Sequence, residues 1–416
     1  MEQILIRGGI PLTGEVCIQG SKNAALPILA ATLLTEGEHE IKNCPKITDV
    51  YYMLELICSL GAVVSWEGRN LYIDTRNVKQ SPLKEQNKGM MRSSIFLLGA
   101  MLGRFQEAQL EYPGGCVIGN RPINWHMQYL NRMGVAFCED TKYIAAKTKR
   151  LKGCEHKLEF PSVGVTENLI LAGVLAEGTT IIRGAAREPE IVALCEFLNS
   201  AGANICGAGK KEIIIHGTKK LSSGHVILKC DRIVAGTYAF ACMITGGSVV
   251  LKKAPTEQMS HLIPLIHAMG GDTVITKEEL FVQRRHRLRA VPLVQTQVYP
   301  GFPTDLQSPL LAVMCTAEGE SAIEERIFEN RFRIVSQLQN MGANIHVQEK
   351  TAYVRGVPKL HGTSIYAEEL RGGAALVLAG LGADGETYIK NCSHIYRGYE
   401  NICRDLSELG ARIYSE

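Results

Sequence analysis

One feature limits this chain more than any other: it repeats itself six times. Glycine closes a helix-like segment at Gly61, Gly134, Gly202, Gly270, Gly342 and Gly410, and a strand-like segment follows each time. Successive markers are 73, 68, 68, 72 and 68 residues apart, a regularity that argues for a repeated unit. The left-handed conformation after a helix is easiest for Gly, so each marker is expected at a helix C-terminus.

Each repeat opens with a helix-like segment that is apolar on nearly every face: ALPILAATLL, SIFLLGAML, ENLILAGVLA, GTYAFACMI, SPLLAVMCTA and GGAALVLAGL. A helix apolar all round has to be buried all round. The second helix, as in DVYYMLELICSL, mixes polar and apolar positions and should keep an outer face. Alternating segments such as KEIIIHG and TAYVRGV fit sheet edges or one-sided sheets. The expected fold class is α/β, with helices buried inside sheets and three units to a lobe. The break is expected near Lys229–Asp231, and EVCIQG near the N-terminus is a strand that could pair with the last lobe.

With 416 residues the chain can build two cores, and a net charge of +3 is too small to point to nucleic acid or a membrane surface. Any anionic ligand must then be held by a local cluster. The thirteen cysteines contain no Cys-x-x-Cys pair and suggest no metal or redox site. An odd, unpatterned set in a large chain reads as reduced thiols in a cytosolic protein, mostly small buried hydrophobes. The N-terminus MEQILIRGGIPL does not read as a secretory signal, and no apolar run approaches membrane-spanning length.

Polar residues recur at two phases of the repeat. Lys22 with Asn23, Arg92, Ser162, Arg232, Asp305 and Arg371 precede the buried helices, lying 39, 42, 40, 38, 37 and 39 residues before the markers. Helix N-termini attract anions, and facing lobes would bring these ends to one cleft. Roughly a dozen residues before each marker lie Asp49, Arg121, Glu188, Glu257, Arg331 and Arg397, at the expected start of the second helix. Singly, such charges read equally well as helix caps and surface ion pairs. Their shared phase favours an anion-binding cleft, and three of the six are Arg, suited to bidentate carboxylate or phosphate binding.

The runs GSKNAALPILAATLL, PGGCVIGNRPINWH, PSVGVTEN, AAREPEI, DRIVAGTY, PGFPTDLQ, IFENRF and IYRGYE resemble the UDP-N-acetylglucosamine 1-carboxyvinyltransferases from end to end. The resemblance implies an enolpyruvyl transferase-like fold of two lobes, each an inside-out α/β barrel of three repeated units. Lobe one would be 22–229 with the Cys loop, lobe two 1–21 and 230–416, and the active site the cleft between them. It also implies transfer of the enolpyruvyl group of phosphoenolpyruvate to the 3'-hydroxyl of UDP-N-acetylglucosamine with release of phosphate, the first committed step of peptidoglycan precursor synthesis. Cys116 would protonate C3 of phosphoenolpyruvate, and beside Arg121 and Lys22 its thiol should ionise readily. Gly114-Gly115 would let the backbone approach the ligand.

By the same resemblance Lys22, Arg121, Arg331, Arg371 and Arg397 surround the donor, with Lys22 and Arg397 in the catalytic set. Asp305 would take the sugar hydroxyl's proton; read alone, it is equally an N-cap for the helix beginning near Leu306. Asn23 would bond the reacting part of the sugar. Arg92, Arg121, Pro122, Ile123, Asn124, Trp125, Ser162, Val163 and Ile327 would contact the nucleotide-sugar. No cofactor and no metal are implied, the partners are the two small-molecule substrates rather than nucleic acid or membrane, and the protein is expected to be cytoplasmic, a monomer or weak homo-oligomer.

The chain departs from the family pattern at Val234, where Glu is usual, at Glu369 for Asp, at Asn124 for Asp, at the bulky Trp125 and at Phe160. The added methylene of Glu369 could shift Arg371. Two other readings stay open: a divergent or non-catalytic paralogue that binds UDP-sugar, and a shikimate 3-phosphate enolpyruvyl transferase.

Overall fold

The computed structural model describes residues 3–83, 92–112, 114, 123–139 and 143–415. The chain divides into two compact units. Among the described residues, those between Gly20 and Lys229 form unit one, and those up to Gln19 join those from Cys230 onward in unit two.

Twelve helices alternate in character along the described residues. The first of each repeat are α1 (Lys22–Ala31), α3 (Phe96–Phe105), α5 (Val163–Gly173), α7 (Arg232–Thr245), α9 (Gln307–Met314) and α11 (Leu370–Gly382). All eight residues of α9 and twelve of the thirteen in α11 are buried, as expected for helices without a solvent face. The second helices are α2 (Thr48–Ser59), α4 (Asn124–Arg132), α6 (Pro189–Ser200), α8 (Leu262–Ala268), α10 (Val335–Asn340) and α12 (Ile402–Glu408). Only six of the twelve residues of α2 are buried, which leaves it an outer face. All six marker glycines have positive φ, between 85° at Gly410 and 107° at Gly61, the conformation for which the repeat selects Gly.

Among the described residues five four-stranded sheets share one plan, and the three-stranded sheet of the second repeat follows it with only an isolated parallel bridge, Leu83 to Leu110, in place of the short strand. The strand after the buried helix pairs antiparallel with a last strand, which pairs antiparallel with the strand that follows the second helix. A short strand joins the first in parallel. In the third repeat these are Thr179–Arg183, Glu212–His216, Asn204–Cys206 and the parallel Glu155–Lys157. Of the two readings of KEIIIHG and TAYVRGV, sheet edge or one-sided sheet, the second holds and the first does not. Glu212–His216 and Thr351–Arg355 are interior strands, and their alternation arises because one sheet face packs on the helices and the other meets solvent.

Two strands change units. Leu12–Cys17 precedes α1 in sequence yet pairs in parallel with Gly247–Lys252 of unit two. His225–Ile227 precedes α7 yet pairs with Glu38–Lys42 of unit one. The sixth sheet borrows its last strand from the N-terminus, where Gln3–Arg7 lies between Glu386–Lys390 and Arg412–Ser415. In the third, fifth and sixth repeats the Gly after that strand is a contact point. A Cβ at Gly217 would lie 1.7 Å from the Ala176 carbonyl oxygen, at Gly356 1.6 Å from Ala317, and at Gly8 2.2 Å from Ala383. In these three repeats the last strand thus touches the backbone just past a buried helix, and Gln3–Arg7 does so like the other two.

Each unit has its own apolar core. In unit two α7, α9 and α11 pack on one another; in unit one α3 packs on both α1 and α5. Seven of the twelve described cysteines are buried, in line with the expectation of mostly small buried hydrophobes. Cys17, Cys58, Cys138 and Cys206 are exposed, on strands and on α2, where the outer face faces water. Burial pushes the thiols of Cys195, Cys242 and Cys315 up to about 12, which keeps them protonated. Among the described residues no helix is long and apolar enough to cross a membrane.

Candidate active site

The helix starts carry the polar residues. In unit one Ser21 caps α1 by accepting from the Ala24 N–H, and Ser162 caps α5 by accepting from the Val165 N–H. Lys22 is the first residue of α1, and its Nζ meets Asp49 of α2 at 2.7 Å, with the Asp49 carboxylate almost wholly buried. Asn23 donates from Nδ2 to Glu190 of α6 at 3.4 Å. A buried charge needs an opposite partner, so Asp49 holds the ammonium at the helix start. Glu167, fully buried on α5, has its carboxyl raised well above the usual range by burial and then by Glu190 and Glu188.

Arg92 opens a short turn, Arg92–Ile95, that leads into α3. Burial, reinforced by the Arg92 charge, pushes the ring of His126 down to about 3. Ile123 precedes α4 and is buried, whereas Asn124 and Trp125 at its start are exposed. Trp125 lies 6.3 Å from Phe160, ring centre to ring centre. Val163 begins α5. Cys116, Arg121 and Pro122 lie outside the described residues.

Unit two holds a tighter constellation. Asp305 lies in the turn Thr304–Leu306 just ahead of α9. The N-cap reading is corrected: Leu306 occupies the cap position without a side-chain bond, and the Asp305 carboxylate is taken by two guanidinium groups. Arg331 Nη2 donates to Oδ1 at 2.7 Å, while Arg371 Nη2 donates to Oδ2 at 2.9 Å and Nε at 3.2 Å. Both arginines are buried. Burial works against the charge of Arg371, and Asp305, Tyr399 and Asp231 outweigh it, so its affinity for the proton is raised. Arg371 Nη1 is buried and meets no hydrogen-bond acceptor among the described residues, which leaves it a donor to offer.

Glu369 caps α11, accepting from the N–H groups of Arg371 and Gly372. It lies 3.7 Å from Arg331. Its longer side chain thus satisfies the helix start while Arg371 still reaches Asp305. Val234 is buried in α7, whose cap is Asp231. Ile327 donates its N–H to Glu325 at 2.7 Å. Arg397 ends the turn Cys392–Arg397, half-buried.

The second phase is less uniform than the spacing suggested. Asp49 and Glu188 sit at the starts of α2 and α6, but Glu257 and Arg397 lie in separate turns ahead of α8 and α12. Asp49, Glu190, Glu325 and Glu369 hold candidate residues without being among the site residues expected from sequence; Asp49 carried a signal in its phase, and Glu369 one as a departure from the family pattern. Pro27 follows Asn23 by four residues and Pro309 follows Asp305 by four, so neither carbonyl receives the usual helical N–H.

In unit two the arrangement offers a carboxylate able to accept a proton and guanidinium groups able to hold an anion. The chain matches the family described as EPSP synthase (3-phosphoshikimate 1-carboxyvinyltransferase) over residues 6–406. It is 45% identical to UDP-N-acetylglucosamine 1-carboxyvinyltransferase 2 of Caldanaerobacter subterraneus subsp. tengcongensis, covering 99% of each chain. It is 46% identical to UDP-N-acetylglucosamine 1-carboxyvinyltransferase 1 of Symbiobacterium thermophilum, covering 99% of this chain and 95% of that one. The enolpyruvyl transferase NikO from Streptomyces tendae superposes with a TM-score of 0.89 at 25% identity, over 99% of this chain and 98% of the other. EPSP synthase from Acinetobacter baumannii shares the fold, with a TM-score of 0.77 at 18% identity over the whole of both chains. Repeat, fold, charge constellation and relatives together make this chain a member of the enolpyruvyl transferase family, among the UDP-N-acetylglucosamine 1-carboxyvinyltransferases.

Proposed function

We propose that the protein transfers the enolpyruvyl group of phosphoenolpyruvate to the 3'-hydroxyl of UDP-N-acetylglucosamine and releases phosphate. The observation that carries this reading is Asp305 held between Arg331 and Arg371, at 2.7 and 2.9 Å, in a chain with full-length relatives of that name. The sugar oxygen bonds to C2 of the donor and gives its proton to Asp305, while Cys116 delivers a proton to C3. In the second half C3 loses a proton, the double bond re-forms, and the C2–O bond to phosphate breaks. Lys22, Arg121, Arg331, Arg371 and Arg397 hold the donor's carboxylate and phosphate as charge moves toward the departing group.

On this reading segment 22–229 supplies the thiol, Lys22 and the nucleotide-sugar contacts Asn23, Arg92, Asn124, Trp125, Ser162 and Val163. Segments 1–21 and 230–416 supply the base, Ile327 and three of the arginines. The reaction is the entry to peptidoglycan precursors, in the cytoplasm, in service of cell shape and division, and fosfomycin is its inhibitor. Inorganic phosphate release tests it: phosphoenolpyruvate with UDP-N-acetylglucosamine should release phosphate, and with shikimate 3-phosphate should not. Release with shikimate 3-phosphate alone, or none with either acceptor at high enzyme concentration, overturns it.

A further inference from the structure

Glu325 is a buried carboxylate that no part of the proposed chemistry employs. It follows the strand Glu320–Glu324, and four donors from two neighbouring loops reach its side chain. Oε1 accepts from the Thr296 hydroxyl at 2.9 Å and from the N–H groups of Ile327 and Phe328 at 2.7 and 3.0 Å. Oε2 accepts from the Thr304 hydroxyl at 2.9 Å. The hydroxyl oxygen of Thr304 in turn accepts from Arg331 Nε at 3.2 Å, and Arg331 Nη2 reaches Asp305 at 2.7 Å.

The direction of these bonds is fixed. An ionised carboxylate only accepts, so the Thr304 proton must point at Glu325 and a lone pair is left for Arg331. Arg331 cannot rotate about its outer bonds without losing either Thr304 or Asp305. One buried anion therefore ties the loop of Thr304 and Asp305 to the loop of Ile327 and Arg331.

We propose that Glu325 is a positioning residue for the enolpyruvyl transfer: through the Thr304 hydroxyl it fixes the Arg331 guanidinium against Asp305, and so holds base and donor-binding cation in register. The inference rests on the reaction proposed above. It differs from a purely structural role, because the final link, Thr304 to Arg331, can be cut while the carboxylate keeps its other three donors.

Steady-state phosphate release over a range of pH, with thermal unfolding measured beside it, tests the relay in Glu325→Gln, Thr304→Val and Thr304→Ser. Thr304→Val removes the hydroxyl at near-constant volume. In Glu325→Gln the amide oxygen can face Thr296, Ile327 and Phe328, and the NH2 group then meets Thr304 and reverses the bond. Both should lower kcat by about tenfold or more, since small shifts of reacting groups are costly, with the KM for UDP-N-acetylglucosamine within about threefold of the parent. The acid limb of kcat should move to higher pH, because a less firmly held cation stabilises the Asp305 anion less. Thr304→Ser, which keeps the hydroxyl, should stay close to the parent in both.

If Glu325→Gln does not fold, Thr304→Val and Thr304→Ser decide alone. A Thr304→Val enzyme with parental kcat and acid limb overturns the relay, as does a loss that follows only the fall in folded protein. A parent chain that releases no phosphate overturns the reaction itself, and is distinguished from these outcomes by the unmutated control.

Discussion

Lys22 and Asp49 form a 2.7 Å ion pair between the start of a buried helix and the start of the next, and Asp305 and Arg331 form the same pair with the signs exchanged, also at 2.7 Å. The four residues occupy the same two phases of repeats one and five. In these two repeats the same two places thus hold a charge pair of opposite polarity. In unit one the pair presents a cation at the helix start, and in unit two an anion.

The first pair gives a stability prediction. Asp49→Asn removes the charge beside a nearly buried ammonium and should cost about 3 kcal/mol, in the range for breaking a buried pair from one side. Urea unfolding of the variant against the parent measures it. A change below about 0.5 kcal/mol, the scale of an exposed pair, would contradict the burial argument.

Asp305→Ala removes the proposed base and leaves two buried guanidinium groups without their shared partner. We expect kcat to fall by about 10²–10⁴-fold, the usual contribution of a general base. Binding of UDP-N-acetylglucosamine, followed by calorimetry, should weaken far less. Loss of affinity at unchanged kcat would make Asp305 a binding group instead.

Cys116→Ser should abolish or sharply reduce phosphate release and prevent covalent labelling by fosfomycin, read as the added mass on the intact chain. Full activity together with retained labelling would remove Cys116 from the mechanism.

Stability should fall on mild acidification. Burial holds the ring of His39 down to about 4 from its ordinary 6.5, and the rings of His156 and His261 likewise to about 4. These rings are neutral when folded, while the unfolded chain binds protons below about pH 6.5. Each contributes stability that is complete above pH 6.5 and is lost as pH falls toward 4, at up to about 1.4 kcal/mol per pH unit. Urea midpoints at pH 7, 6 and 5 should therefore decline in steps. A midpoint constant over that range would mean that these rings are protonated in the fold.

Gly356→Ala should destabilise unit two by about 1–3 kcal/mol or more, because the backbone it would press against cannot rotate away as a side chain can. Thermal unfolding reads the effect, and an unchanged midpoint would show that strand and helix end can separate freely.

The repeat was legible because it rests on local rules: Gly where φ is positive, and helices apolar on every side. Gln3–Arg7 was not, since its partners lie almost the whole chain away and its alternation resembles that of any one-sided strand. Lys22, Asp305, Arg331 and Arg371 were legible as members of a phase and by resemblance. Their partners were harder to see. Glu325 sits in a run of charged residues that looks like solvated surface, and only the folded loops turn it inward. Asp305 looked like a cap because Asp before a helix usually is one; two arginines distant in sequence outcompete the N–H groups.

The exchange of Leu12–Cys17 and His225–Ile227 sets the order in which the two units can close during synthesis. Once Lys229 has left the ribosome, Gly20–Lys229 has every strand of its own sheets and can close. Leu12–Cys17 must wait for Gly247–Lys252, and Gln3–Arg7 for Glu386–Ser415, before they have partners. A nascent chain stalled midway would thus carry one finished body and an unpaired strand at Gln3–Arg7, which is shielded from proteases only once Glu386–Ser415 has emerged.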